Sequence, residues 1–183
     1  MLQCWHAMIF LETERLRFRT HEAKDEADFI GMHTDPEVRR HVGGQAWPLE
    51  KAQSRFRNQY LGQPTETYGL WAAILKDEGR YIGCCGLRAA QDGKAAHLGY
   101  YFARAHWQRG FASEATEAFI DVAFTRLRLM RLLADVDERN EASKHILEKF
   151  GFKYVSREEI QGSRRVILLY ELGAPSIAKT QAT

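Results

Sequence analysis

The chain contains two spacings of hydrophobic and polar residues, and each spacing predicts a different kind of element. Hydrophobic residues at every second position predict a strand with one buried face, as where Leu16 and Phe18 stand between three arginines. Hydrophobic residues at every third or fourth position predict an amphipathic helix, as from residue 110 onward. Together with the turn residues between segments, these spacings predict strands at residues 15–19, 68–75, 81–87, 95–102, 131–136, 152–160 and 166–172.

Helix starts and stops are marked by capping residues. Asp35 and Pro36 suit the N-cap and the first turn, Pro48 suits a helix start, and Gly151 suits the position just after a helix. These signals and the helical spacing predict helices over residues 24–32, 35–41, 48–61, 110–127 and 141–150.

The order of these elements predicts an α/β protein of the α+β type. The strand–helix–strand unit over residues 95–136 requires one parallel pair, whereas the short turns before it join antiparallel strands. We therefore expect a mixed, mostly antiparallel sheet of about seven strands, with a central βαβ crossover and helices on both faces. Residues 9–173 are predicted to form one domain, with an N-terminal extension over 1–8 and a frayed C-terminal tail over 174–183.

Composition narrows the class of protein. The 26 basic and 24 acidic residues give a net charge of +2, without the basic excess of a nucleic-acid binder. Three cysteines do not make a disulfide framework, and no metal-ligand spacing surrounds them. No apolar run is long enough to span a bilayer, and the N-terminus lacks the basic start of a signal peptide. We expect a cytoplasmic protein without metal, nucleic-acid or membrane partners.

The most informative segment joins a predicted strand to the helix after it. It contains no acid from residue 103 to residue 113, carries Arg104 and Arg109, and begins the helix with the small residues Gly110, Ala112 and Ser113. Amide groups in the first turn of a helix have no partner within it, and together with the helix dipole they attract anions. The segment predicts an anion site. The alternative is that the small residues only allow the helix to pack closely on the sheet.

The same segment resembles the GNAT superfamily of acetyltransferases, which carries an R/Q-x-x-G-x-G/A loop between its fourth strand and the next helix. Trp107 to Ala112 match the last two fixed positions and depart at the first, where Trp107 stands. His106 to Ala115 resemble the RimJ/RimL-like branch, which often reads Y-W-G-K-G-Y-A-T-E-A. The similarity extends in order from about Ile9 to Leu172, through further matching segments at residues 13–17, 35–38, 82–88 and 140–152.

The resemblance implies an N-acetyltransferase that uses acetyl-CoA as co-substrate and no metal. In this family two parallel strands splay apart at a bulge, for which Gly99 is suitably placed. The pantetheine arm would lie between the strands and the pyrophosphate on the helix start, where the Ser113 hydroxyl is an extra donor. The residues implied to bind the cofactor are Tyr101, Phe102, Gln108, Arg109, Gly110, Phe111, Ala112, Ser113 and Asn140.

Direct attack of an amine on the thioester needs a base for the ammonium and an acid for the leaving thiolate. Where many relatives carry an acidic tyrosine this chain has Leu147, and Ser143 is our candidate acid, alone or through a water. The alternative is that Ser143 bonds the helix backbone. Where this branch often has a glutamate stands His97, our candidate base. The alternative is an exposed strand histidine.

The acceptor is expected to be a primary amine, with an α-amino group of a protein N-terminus or small molecule preferred. Trp47 and Trp71 are candidate walls of the acceptor pocket, although aromatic residues also pack in cores. A homodimer is common among such folds. The competing function is a GNAT module that binds acyl-CoA without catalysis, as a sensor or interaction domain. The departures at Leu147 and His97 support that reading.

Overall fold

The computed structural model of the chain describes residues 8–63 and 67–175. Within these ranges the strands are β1 (Ile9–Glu12), β2 (Leu16–Arg19), β3 (Gly69–Leu75), β4 (Arg80–Ala89), β5 (Ala95–Phe102), β6 (Arg131–Asp137), β7 (Lys153–Glu159) and β8 (Val166–Gly173). They form one sheet in the order β1-β2-β3-β4-β5-β6-β8-β7, antiparallel except for β5 and β6. The predicted mixed sheet is confirmed. It has one strand more than expected, because β1 reads Ile-Phe-Leu-Glu and shows no alternation of apolar and polar residues.

The helices of the described residues are α1 (Glu26–Thr34), α2 (Pro36–Arg39), α3 (Leu49–Arg55), α4 (Phe111–Asp121) and α5 (Glu141–Lys149). Single π-helical segments extend α3 through Tyr60 and α4 through Arg126, which accounts for the longer helices predicted at these places. None of them is long and apolar enough to cross a bilayer. Most of the predicted extension over 1–8 and tail over 174–183 lies outside the described residues.

Two hydrophobic clusters confirm that helices cover both faces of the sheet. The larger cluster joins α4 and α5 to the strands through residues such as Phe119 and Leu147. The smaller cluster joins α1, α2 and the extension of α3 through Phe29, Val38 and Phe56. Burial of these apolar side chains is the main force that holds the helices to the sheet.

The parallel pair β5–β6 is short. It extends only from Ala95 opposite Arg131 to His97 opposite Leu133. Beyond that point β5 continues along β4 as far as Phe102, and β6 continues along β8. The two central strands therefore separate toward their carboxyl ends and leave an opening in the sheet.

The predicted bulge at Gly99 is wrong. The register between β4 and β5 passes through Gly99 without a shift, pairing it with Gly86. The strands separate because each follows its outer neighbour, and not because of an inserted residue. What Gly99 contributes is space, since a Cβ added there would meet no atom within 4 Å.

Candidate active site

The opening between β5 and β6 is a cleft of ≈ 430 Å³. Its floor is formed by the ends of the two strands, and one side by the first turns of α5. The opposite side is formed by the loop after α2, at residues 41–43, and by the β7–β8 hairpin. A second depression of ≈ 480 Å³ lies between α4 and the turn after β1, and shares no lining residue with the cleft.

The main-chain groups of β5 alternate between β4 and the cleft. The amide of Ala103 donates to the carbonyl of Ile82, and the amide of Ala90 donates to that of Ala95. In an antiparallel pair both main-chain groups of a residue point to the same side. With the unbroken β4–β5 register, odd-numbered residues of β5 therefore bond to β4, and even-numbered residues point toward β6.

This alternation corrects one predicted cofactor contact. The main chain of Tyr101 bonds to β4 and is not open to the cleft, whereas the main-chain groups of Tyr100 and Phe102 face the gap that β6 leaves. The Phe102 carbonyl accepts a hydrogen bond of 2.7 Å from the Trp107 indole. The open groups along this edge are thus the main chain of Tyr100 and the amide of Phe102.

The start of α4 presents unpartnered amide groups to solvent. Gly110, at φ +83°, has a left-handed conformation that a residue with a Cβ adopts only with strain. The first main-chain bond of the helix joins the amide of Glu114 to the Gly110 carbonyl. The amides of residues 111–113 are therefore without helical acceptors. Gln108 and Arg109 are exposed, and Phe111 is buried in the larger cluster and anchors the helix start.

Arg15 holds this loop from the other side. Its Nη1 donates to the Arg109 carbonyl at 2.9 Å, and its Nε pairs with Glu114 Oε2 at 2.7 Å. Burial raises the pKa of Glu114, but hydrogen bonds from Thr13 and Arg15 outweigh burial and the pKa is lowered. Glu114, the first acid after the predicted anion site, is therefore ionised and paired, and much of its charge is compensated.

Two hydroxyl groups lie beside the β5 edge. The amide of Ser143 donates to Asn140 Oδ1, which caps α5, while the Ser143 hydroxyl bonds no main-chain group within the described ranges. The alternative for Ser143, a hydroxyl that bonds the backbone, is thus not observed. The Tyr100 hydroxyl is enclosed and, apart from the neighbouring Ser143 hydroxyl, has no described hydrogen-bond partner. Burial raises its pKa to about 12, although nearby Ser143 lowers it.

Tyr100 lines the cleft but was not among the site residues predicted from the sequence. The family position for an acidic tyrosine is occupied here by Leu147, which is buried. Tyr100, Ser143 and Leu147 line the same cleft. The cleft thus holds a tyrosine beside Ser143, but this tyrosine belongs to β5 and not to α5. Side chains alternate between the two faces of a strand, so the sequence of β5 already places Tyr100 on the same face as Leu98 and Phe102.

His97 is paired with a carboxylate on the neighbouring strand. Its Nδ1 lies 2.8 Å from Asp135 Oδ2, and Arg88 Nη2 lies 3.8 Å from the same oxygen. Asp135 lines the cleft, and the imidazole is partly exposed beside it. The structure therefore places His97 at the cleft margin, in a pair that orients its ring, and not as an isolated surface side chain.

A buried carboxylate joins the walls of the cleft on the other side. Asp137 accepts hydrogen bonds from Arg139 and from Arg165 Nε, and Arg165 Nη2 also donates to the His41 carbonyl at 3.1 Å. Burial raises the pKa of Asp137, but these hydrogen bonds outweigh it and the pKa lies well below its usual range. Arg165 thus ties the β7–β8 hairpin to the loop after α2.

The two tryptophans have different surroundings. Trp47 is half-buried, packs against the smaller cluster and stacks on His33 with ring centroids 4.4 Å apart. Trp71 is fully buried in the larger cluster and stacks on Phe10 at 4.3 Å. The expectation that Trp71 forms a wall of the acceptor pocket is wrong, because β3 directs it into the core.

No group of potential metal ligands occurs among the described residues. Cys84 and Cys85 are free thiols, both buried, and burial raises the pKa of each. They are packing residues within the sheet. Cys4 lies outside the described residues.

Comparison with known proteins supports the fold. The chain is 33% identical to p20 of Bacillus licheniformis, an uncharacterized N-acetyltransferase, over 78% of this chain and 82% of that protein. The structure of a GNAT-family acetyltransferase from Bacillus anthracis aligns over 90% of this chain and 98% of that protein, with a TM-score of 0.80 and 22% identity. The structure of RimL, a ribosomal L7/L12 alpha-N-protein acetyltransferase, aligns over 91% of this chain and 94% of RimL, with a TM-score of 0.70 and 13% identity.

A family model described as an acetyltransferase (GNAT) domain matches residues 15–153. That span includes β5, β6 and α5, which form the floor and one side of the cleft, and the loop that leads into α4. The chain therefore belongs to the GNAT family and is an N-acetyltransferase.

Proposed function

We propose that the protein transfers the acetyl group of acetyl-CoA to a primary amine by direct attack, and that the amine is the α-amino group of a protein N-terminus or of a small molecule. The observation that carries this proposal is the cleft between β5 and β6. Its β5 edge leads through Phe102 into the loop whose amides are unpartnered at the start of α4.

The donor binds along that edge. The main chain of Tyr100 and the amide of Phe102 bond the pantetheine amides, as an additional strand would. The pyrophosphate rests on the amides of residues 108–113 and on the Ser113 hydroxyl, where the positive end of the helix dipole stabilises it. Asn140 Oδ1 is used in capping α5, so any contact of Asn140 with the pantetheine involves its amide nitrogen.

The reaction needs two proton transfers. Asp135 orients the His97 ring, and the imidazole accepts the proton of the ammonium directly or through a water. The leaving thiolate takes a proton from the pair of hydroxyls at Ser143 and Tyr100, neither of which is hydrogen-bonded elsewhere in the described residues. A main-chain amide of β5 polarises the thioester carbonyl.

Proton chemistry favours an α-amine as the acceptor. An α-amino group has a pKa near ~8 and a lysine amine near ~10.4, so only the former is appreciably neutral at physiological pH. A base as weak as an imidazole then suffices. Members of the branch that this chain resembles include N-terminal acetylases, and RimL, which shares the fold, is an alpha-N-protein acetyltransferase.

The second candidate function is an acyl-CoA-binding module without catalysis. The buried Leu147, at the position of the family tyrosine, favours it. The two candidates differ in one measurement. A module without catalysis is stabilised thermally by acetyl-CoA but releases no thiol with any amine, whereas an enzyme does both.

The acceptor is tested with two matched peptides. One has a free N-terminus and no lysine, and the other is blocked at its N-terminus and carries one internal lysine. We expect thiol release from acetyl-CoA with the first and little with the second, because an α-amine is the more often neutral. Preferential acetylation of the blocked peptide would contradict the α-amine assignment.

Donor binding is tested at Ser113. Replacing it with Asp keeps a residue that suits the first turn of a helix but adds a negative charge beside the pyrophosphate. We expect acetyl-CoA to bind about tenfold or more weakly, as measured by calorimetry, because two like charges within a few ångströms repel at a partly enclosed surface. The matched control is Ser113→Asn, which keeps the size without the charge. Equal affinities in the two variants would exclude a phosphate at this helix start.

The base is tested by the pH dependence of kcat/KM. In His97→Gln the acidic limb that reflects protonation of the base should disappear, because glutamine does not titrate in this range. Asp135→Asn should keep the limb and lower kcat, since the ring loses its orienting partner. His145→Gln, on the exposed face of α5, is the control. A limb that survives unchanged in His97→Gln would show that another group is the base.

The acid is tested with Tyr100→Phe and Ser143→Ala. Loss of a proton donor should lower kcat by about a hundredfold with little change in the KM for acetyl-CoA. Because the Tyr100 hydroxyl has no described hydrogen-bond partner other than Ser143, its removal should leave the melting temperature unchanged or raise it. A variant that loses stability while kcat is retained would assign that hydroxyl a structural role.

A further inference from the structure

One buried charge takes no part in the proposed donor binding or proton transfer. Arg39, at the end of α2, is only 7% exposed. Its Nε is fully enclosed and has no hydrogen-bond partner, and no carboxylate of the described residues lies within 4.0 Å of its guanidinium. A guanidinium stays protonated in proteins, and an enclosed charge without a counterion is costly.

The surroundings of Arg39 compensate its charge only in part. The guanidinium carbon lies 4.4 Å from the centroid of the Trp47 ring, an arrangement that attracts a cation. The other charges near that ring are also positive: Lys51 Nζ at 5.7 Å and the Arg55 guanidinium at 5.8 Å. Burial lowers the pKa of His33 to about 3, so this histidine is neutral. The local field around Arg39 is therefore positive.

The guanidinium lies against a wall of the cleft. A Cβ built on Gly43 would meet Arg39 Nη2 at 2.7 Å, and Gly43 lines the cleft. Its φ of +79° also favours glycine, so the loop after α2 passes close over the arginine without a side chain between.

The other boundary of this region is the sheet. Alternation along β5 places His97, Gly99 and Tyr101 on the face that carries α1 and α2, and Tyr101 packs against the cluster beneath them. Gly99 leaves open space between the other two side chains. An acceptor in that space has the proposed base at one end and the loop over Arg39 at the other.

From these observations we propose that Arg39 binds a carboxylate of the acceptor, so that the substrate is an amine that also carries an acidic group. The inference rests on the proposed acetyl transfer and assigns its substrate class. The buried carboxylate that lines the cleft, Asp137, is engaged by Arg139 and Arg165 and is not free to serve as the counterion. The carboxylate can come from an amino acid itself or from an acidic residue near a peptide N-terminus.

The experiment compares acceptors with and without a carboxylate. One pair is an α-amino acid and its carboxamide, and a second pair is a peptide that begins with Asp and one that begins with Asn. We expect kcat/KM for the carboxylate-bearing member of one pair to be about tenfold or more higher, through the KM of the acceptor, because a charged hydrogen bond in an enclosed site is strong. The pair that shows the preference identifies the source of the carboxylate.

The variants assign the preference to Arg39. Arg39→Gln should abolish it, with the KM for acetyl-CoA unchanged, and Arg39→Lys should retain part of it because the charge remains without the planar fork. Arg55→Gln, which removes an exposed cation near the same tryptophan, is the control and should keep the preference. Equal rates within both pairs, or a preference that survives in Arg39→Gln, would overturn the assignment.

Failure of the acetyl transfer itself would be distinguishable. Binding of the same acceptors is measured by calorimetry in the absence of acetyl-CoA, on the parent and on Arg39→Gln with matching melting temperatures. Carboxylate binding that depends on Arg39, without thiol release from any amine, would reject the proposed function and keep the anion site. Turnover of the neutral acceptors at the same rate as the acidic ones would reject the anion site alone.

Discussion

The short contact between β5 and β6 is the constraint on which the active cleft depends. The two strands pair over three positions, whereas each pairs over seven with its outer neighbour. Antiparallel pairs are somewhat more stable per residue than parallel ones, so the sheet retains its outer pairing and separates at the centre. The opening exposes main-chain groups of Tyr100 and Phe102 and brings Ser143 beside them. A longer parallel pair would close the site without changing a single side chain.

Charges in and around the cleft are compensated to different degrees. Glu114 is paired with Arg15 and Thr13, and Asp137 is paired with two arginines. The oxygens of both carboxylates therefore accept hydrogen bonds from these partners. Arg39 is enclosed with an aromatic ring and no described carboxylate. Buried charges are costly unless they are paired, and such groups tend to occur where a ligand completes the pair. This contrast separates the charges that hold loops in place from the one for which we propose a carboxylate partner.

The sequence was sufficient for the elements and their order but not for the contacts between distant segments. Alternation and capping located the strands and helices, and the small residues at the start of α4 located the predicted phosphate site. Periodicity does not report which side of β5 bonds to β4, so Tyr101 was expected at the edge that Tyr100 occupies. It also does not distinguish an aromatic residue in a core from one in a pocket, as Trp71 shows. Arg39 carried no motif, because its isolation arises only when α2, α3 and the sheet come together.

The hydrogen bond from Arg165 to the His41 carbonyl has a consequence for how this protein can diverge. The two residues are 124 positions apart in the chain, yet they join the hairpin and the loop that form one side of the cleft. The β5 edge and the helix start beside it, by contrast, belong to one continuous crossover, from β5 through α4 to β6. A change in either segment that moved the arginine away from its carbonyl would break this tie between the walls of the cleft. An insertion in one of these segments would therefore keep this wall of the cleft intact only with a compensating change in the other, 124 positions away.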